Sequence, residues 1–260
     1  MVVPMMIESR RSWVEQLFVA IIILIVFIFM AFALFDSGEA TYAKAQLLFA
    51  LIVLLITYRE IGTFKVTKPR VKLSANLKIW LGLIGISLIV MALLEQVPSQ
   101  ILLNWNSANL AENTMFALAA GIFEESLTRG LFFSIFLQNM QYRSRSLKFT
   151  RSTIYSALIF GSLHLMNLRS GNSAAIIQQI FYAFALGIVL AAIRVTTNTL
   201  FWGIGVHFLI DWQPGIANPL STATSWLPVL LIFGSMLVVG IVYLVKFDRE
   251  YEKQSHLAKS

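Results

Sequence analysis

The chain has 260 residues, 58% of them hydrophobic and only 13% charged, about half the charged share of an ordinary soluble domain (roughly 25%). That composition, with a mean hydropathy of +0.76, excludes a water-soluble globular fold, and the absence of cysteine excludes disulfides, iron–sulfur ligation and thiol catalysis. The formal net charge of +7 reads as the positive-inside bias of a membrane protein rather than a nucleic-acid surface.

Eight apolar segments follow along the chain, at about 13–35, 43–58, 77–94, 113–137, 151–168, 173–193, 198–213 and 225–245. Each approaches the roughly 20 residues that cross a bilayer as a helix. The expected fold is all-α: a polytopic membrane helical bundle of about eight transmembrane helices. The first segment is longer than the apolar region of a secretory signal and lacks a small-residue cleavage pattern, so it reads as a span. The second, third, fifth and seventh are short or interrupted and read equally as tilted or re-entrant segments.

The loops divide by charge. From Arg59 to Lys78 there are six basic residues around Pro69, which suits a surface loop facing anionic lipid or, more simply, a topology determinant. Arg143 to Lys148 reads the same way. Residues 95–112 place Pro98, Asn104, Asn106 and Asn109 around Leu102, Leu103 and Trp105, the pattern of an interfacial helix with Trp105 at headgroup depth. The tail from Phe247 is expected to be charged and solvated, with His256 exposed. A cytoplasmic N-terminus puts seventeen basic residues inside and only Lys44 and Arg169 outside, with Arg129 within a span. So lopsided a count predicts a multi-pass protein of the cell membrane with both termini cytoplasmic. The expected divisions are 1–112, holding three helices and the interfacial segment; 113–213, a catalytic core; and 214–260, a last helix and tail.

Ionisable side chains inside spans are costly and normally face a cavity where they act. Three segments carry them: Glu124, Glu125 and Arg129 in the fourth, His164 and Asn167 in the fifth, His207 and Asp211 in the seventh. Glu125 and Arg129 are four apart and share a helix face, which lets both stay ionised as a pair. Glu124 points about 100° away on an ideal helix and is expected to face a different wall. A desolvated glutamate is a candidate general base. His207 and Asp211 are again four apart, and Phe160 is placed to pack beneath His164. Gly121, Gly130, Gly161, Gly187, Gly203 and Gly205 allow close helix approach, and the last two are placed to loosen the turn before His207. Buried Glu–Arg and His–Asp pairs also serve as interhelical glue, and proton or ion transport uses the same residues. Three helices contributing Glu124, His164, His207 and Asp211 favour hydrolysis: a water held between glutamate and histidine, and a second imidazole for the oxyanion.

Glu124-Glu125-Ser-Leu-Thr-Arg129, Phe160-Gly-Ser-Leu-His164 and His207-Phe-Leu-Ile-Asp211 resemble, in order, the EExxxR, FxxxH and HxxxN-type motifs of the CAAX-protease and bacteriocin-processing (CPBP or Abi) family of intramembrane proteases, which includes the type II CAAX prenyl protease. The resemblance runs from about residue 112 to 213. It implies an eight-span peptidase in which Glu124 activates water, His164 orients it, Glu125 and Arg129 shape the site, and His207 with the residue at 211 stabilises the oxyanion. Aspartate at 211 supplies no donor unless protonated, so its implied part shifts toward fixing His207. The implied partners are a membrane-associated peptide or protein substrate and the lipid bilayer, with no nucleic acid. A non-catalytic bacteriocin-immunity protein is a further alternative. Glu124, His164, His207 and Asp211 are acceptable zinc ligands by type, but the expectation is a metal-free glutamate mechanism without cofactor.

Overall fold

The computed structural model describes residues 4–34, 36–169, 171–218 and 222–256. Phe35 at the expected end of the first span, Lys259 among the counted cations, and the side chain of His256 lie outside the described residues.

Helix α1 (Trp13–Ala33) starts at a capping box in which Ser12 accepts from the Glu15 backbone and the Glu15 carboxylate accepts from the Ser12 backbone, satisfying two orphan donors. Beyond Glu15 it is uncharged, and Phe18, Ile25 and Phe29 stand exposed as a lipid-facing surface. Helix α2 (Glu39–Ile61) stops at Gly62, whose φ of 77° takes the left-handed cap that glycine adopts without strain. Helix α3 (Ala75–Leu94) is capped by Ser74 and followed by the short α4 (Val97–Trp105). That helix lies within the segment for which an interfacial helix is expected. Its Trp105 is exposed and packs edge-on against Trp212.

The fourth expected span is one continuous run with a change of winding inside it. Helix α5 (Leu110–Glu124) passes into a π-helix (Glu125–Phe132) and then into α6 (Phe133–Tyr142), with right-handed backbone angles through both junctions. Helix α7 (Lys148–Leu163) tightens into a 3-10 turn (His164–Arg169). Helix α8 (Ser173–Thr197) is capped by Asn172, and α9 (Phe201–Asp211) follows after a short turn. The last rod comprises α10 (Trp226–Val229), a π turn (Leu230–Gly234) and α11 (Ser235–His256).

The fold is all-α in its bulk, and among the described residues five helical units are long and apolar enough to cross a membrane: α1, α2, α3, α8 and the rod from Trp226 to Ser255. The sequence predicts about eight. The other three expected spans are helical but fall short for visible reasons. The fourth is charged and divided by its π segment, the fifth leaves α-helix at Leu163, and the seventh has 11 residues, only about 16 Å of rise.

Two apolar cores flank the polar helices. One joins α1, α2 and the 119–135 stretch; the other joins α3, α7, α8 and α11. Phe132 packs into the first and its neighbour Phe133 into the second, so the π segment is the seam between them. At one end of the bundle the chain is tied by polar contacts. A two-residue strand β1 (Met5–Met6) pairs antiparallel with β2 (Thr67–Lys68). Asn198 accepts from the backbones of Val66 and Thr67 and donates to the Thr67 carbonyl.

The expected solvated tail is instead docked. Phe247, Asp248 and Gln254 are buried, Tyr251 packs edge-on against Phe149, and Gln254 bonds the Lys72 backbone in both directions. Arg249 and Lys253 stay exposed on this helix, while Tyr243 and Phe247 are buried.

Candidate active site

The π-helix is buried at all eight residues. Its wider turn is a feature often found at functional sites, and α2 is pressed against it. Thr57 donates to the Ser126 carbonyl at 3.4 Å, and a Cβ at Gly130 would fall 2.5 Å from the Thr57 methyl. Only glycine permits that approach.

Glu125 and Arg129 form the expected pair, at 3.0 Å between Oε1 and Nη1, with both residues fully buried. The same Oε1 lies 3.1 Å from Nδ1 of His207 on α9. The other ring nitrogen, Nε2, lies 3.3 Å from Asp211 and 3.6 Å from Glu124. Glu124 therefore does not face a separate wall. Consecutive glutamates reach opposite sides of one imidazole. They differ in access: the Glu124 and Asp211 side chains keep 19% and 27% exposure, against 1% for Glu125. An ionised carboxylate only accepts hydrogen bonds, so the Nδ1–H of His207 donates to Glu125.

His164 opens the 3-10 turn, half-buried, with Nδ1 3.2 Å from the Phe160 carbonyl. Since a carbonyl accepts, that nitrogen carries the hydrogen and Nε2 is left as the basic one. Among the described residues, no hydrogen bond or ion pair joins His164 to Glu124 or His207. Phe160 connects them instead, edge-on to His164 at 5.4 Å and to His207 at 5.5 Å, with the Arg129 guanidinium 3.9 Å from its ring centre. A cation over a desolvated ring is a favourable contact.

Small residues let these parts meet. A Cβ at Gly203 would lie 2.9 Å from Glu125 Oε2, and one at Gly187 would lie 3.1 Å from Arg129 Nη2. Gly121 and Gly161 abut the backbones of Ile204 and Ile180. Gly205 faces open space, and α9 runs unbroken through it, so neither Gly203 nor Gly205 loosens a turn before His207. Asn167 is exposed and bonds Gln179, outside the cluster.

The family described as Type II CAAX prenyl endopeptidase Rce1-like matches residues 106–213, the stretch that holds every residue of this cluster. Residues 106–213 form a CAAX-protease-like domain. No curated protein and no solved structure matches the chain. The domain carries a buried Glu/His cluster consistent with a glutamate-type site. Among the described residues, no three His, Asp or Glu side chains are arranged to hold a metal ion. Within the set Glu124, His164, His207 and Asp211, His207 has a carboxylate against each ring nitrogen, and His164 forms no hydrogen bond or ion pair with the other three. These residues do not fit a metal centre.

The grip of Glu125 on His207 is not visible in the sequence. The two residues lie on different helices with no shared spacing, so nothing local reveals it.

Proposed function

We propose that the protein is an intramembrane endopeptidase, hydrolysing a peptide bond of a membrane-associated or lipidated peptide or protein with glutamate-activated water. The observation that carries this reading is the unequal access of two adjacent glutamates around one histidine. Glu125 is sealed and holds Nδ1 of His207, whereas Glu124 stands at the accessible side. Glu125 and Arg129 then serve to position, and Glu124 is free for proton transfer.

In this mechanism a water sits between Glu124 and the free Nε2 of His164. Glu124 takes a proton as the water oxygen bonds to the scissile carbonyl carbon. His207, doubly protonated, turns its one Nε2–H from Asp211 toward the oxyanion, while Glu125 keeps hold of the ring at Nδ1. Glu124 then returns the proton to the amide nitrogen, the C–N bond breaks, and a carboxylic acid and an amine leave, the acid then passing its proton to the amine or to solvent. Glu125 acts as the counter-charge behind the imidazole. We place all eight helical segments in or across the cell membrane, with both termini cytoplasmic, because the seventeen-to-two distribution of loop cations favours it.

The test is product detection by mass spectrometry, comparing wild type with Glu124→Gln at matched folded protein against a membrane-peptide library. Removal of a positioned base costs about 10²–10⁴-fold in rate, so cleavage should fall at least that far while folded yield survives. Equal cleavage by the two proteins ends the assignment to Glu124. A transporter would instead lose proton-coupled flux in sealed vesicles without peptide product from either protein. An immunity protein would keep its function in every variant that folds.

A further inference from the structure

Away from the cluster, a second buried cation lacks an ion-pair partner. Arg194, in the last turn of α8, is 3% exposed. Its Nε and Nη1 have no hydrogen-bond partner, and among the described residues it forms no ion pair within 4.0 Å. Glu125 attracts it only from beyond that distance, and that carboxylate is already held by Arg129 and His207. The Arg194 guanidinium lies 5.1 Å from the Phe133 ring, which offers one weak contact. A buried charge left unpaired is strongly destabilising, so an arginine kept in this position calls for an anion.

The surroundings supply a place for one. Arg194 lines a small cavity with Lys65, Thr63, Ser9 and Ser134, and the two serine hydroxyls are 2.8 Å apart. The cavity volume is about 20 Å³, room for about one water-sized group. Lys65 also borders a neighbouring groove of about 380 Å³, lined by Lys68, Arg70 and Thr197. A guanidinium, an ammonium and several hydroxyls form a donor set suited to phosphate oxygens. The size of the inner cavity admits one such oxygen, and the groove beside it has space for what the phosphate is attached to.

We propose that this end of the bundle is a phosphate-binding site, in which one phosphate oxygen enters against Arg194 and Lys65 spans cavity and groove. The phosphate belongs either to an anionic lipid headgroup or to free phosphate. The site shares no residue with the Glu/His cluster and does not depend on the proposed peptidase reaction. It is built from segments far apart in sequence: the N-terminal stretch, the loop after α2, the start of α6 and the end of α8.

The experiment uses the full chain in nanodiscs of phosphatidylcholine and follows the thermal unfolding midpoint. Inorganic phosphate is titrated in one arm against chloride at matched ionic strength; phosphatidylglycerol replaces part of the lipid in the other. At least one arm should raise the midpoint. A response to inorganic phosphate assigns free phosphate as a ligand, and a response to phosphatidylglycerol alone assigns the headgroup. Loss of a charge-assisted contact should weaken the apparent affinity about tenfold in Arg194→Gln and in Lys65→Gln. Arg145→Gln removes one exposed charge from a loop outside the site and should leave the response unchanged. If Arg194→Gln does not fold, Lys65→Gln carries the comparison alone. No midpoint shift in either arm would overturn the proposal, as would a response that Arg145→Gln reduces as much as Lys65→Gln does.

Discussion

Gly203 sits where any side chain would meet Glu125. Gly203→Ala places a methyl 2.9 Å from Oε2, so either the carboxylate or α9 must move. Overpacking of this kind costs about 1–3 kcal/mol, and the unfolding midpoint should fall together with peptide cleavage. Gly205→Ala, facing open space on the same helix, should leave both unchanged. A second expectation concerns zinc. Because no three ligand-type side chains among the described residues are arranged to hold a metal ion, elemental analysis of active protein should find no stoichiometric zinc; about one zinc per chain, with activity lost on chelation and restored by zinc, would contradict it. At this scale much is legible from sequence. The Glu125–Arg129 and His207–Asp211 contacts and the edge-on Phe160–His164 contact are local, four residues apart along the chain, and spacing alone identifies them. The sharing of His207 by both glutamates is not legible, because it depends on how α9 meets the π segment.

Helix α7 begins without a cap of its own: Leu147 precedes it with no side-chain hydrogen bond. The cap comes from another helix. Asp248 on α11 accepts from the backbones of Phe149 and Thr150 and from the Thr150 hydroxyl, which satisfies orphan donors and places negative charge at a helix N-terminus. Asp248→Ala should cost about 1–2 kcal/mol, read as a lower unfolding midpoint, and should loosen the helix that ends at His164. The charged sequence around Asp248 suggests solvent, but Tyr243, Phe247 and Tyr251 recur every four residues and mark an apolar stripe. The π-helix has no comparable signature. Gly130 within it admits the close approach of α2, but a single glycine does not mark a change of winding.

The segments expected to be cytoplasmic gather at one end: β1 with β2, Asn198 with Val66 and Thr67, Gln254 with Lys72, Asp248 with Thr150. Reporter fusions after residues 72, 146 and 250 should therefore all read cytoplasmic, and fusions near 38 and 218 external; one firm reversal would sink the arrangement. Charge counting makes this grouping legible, whereas the number of full crossings is not, because composition does not reveal where a helix changes winding or stops short. The helices also differ in how much of them is inside. The apolar window of α8 is 61% buried, against 17% for α1 and for α3. On α1 and α3, one large aliphatic side chain can replace another at most positions, since lipid tails adapt to either shape. On α8, Ala185, Gly187, Ala191 and Ala192 are buried against neighbours, and an added methylene has nowhere to go. The outer helices are thus free to wander through sequence space while the axis they surround is held nearly still.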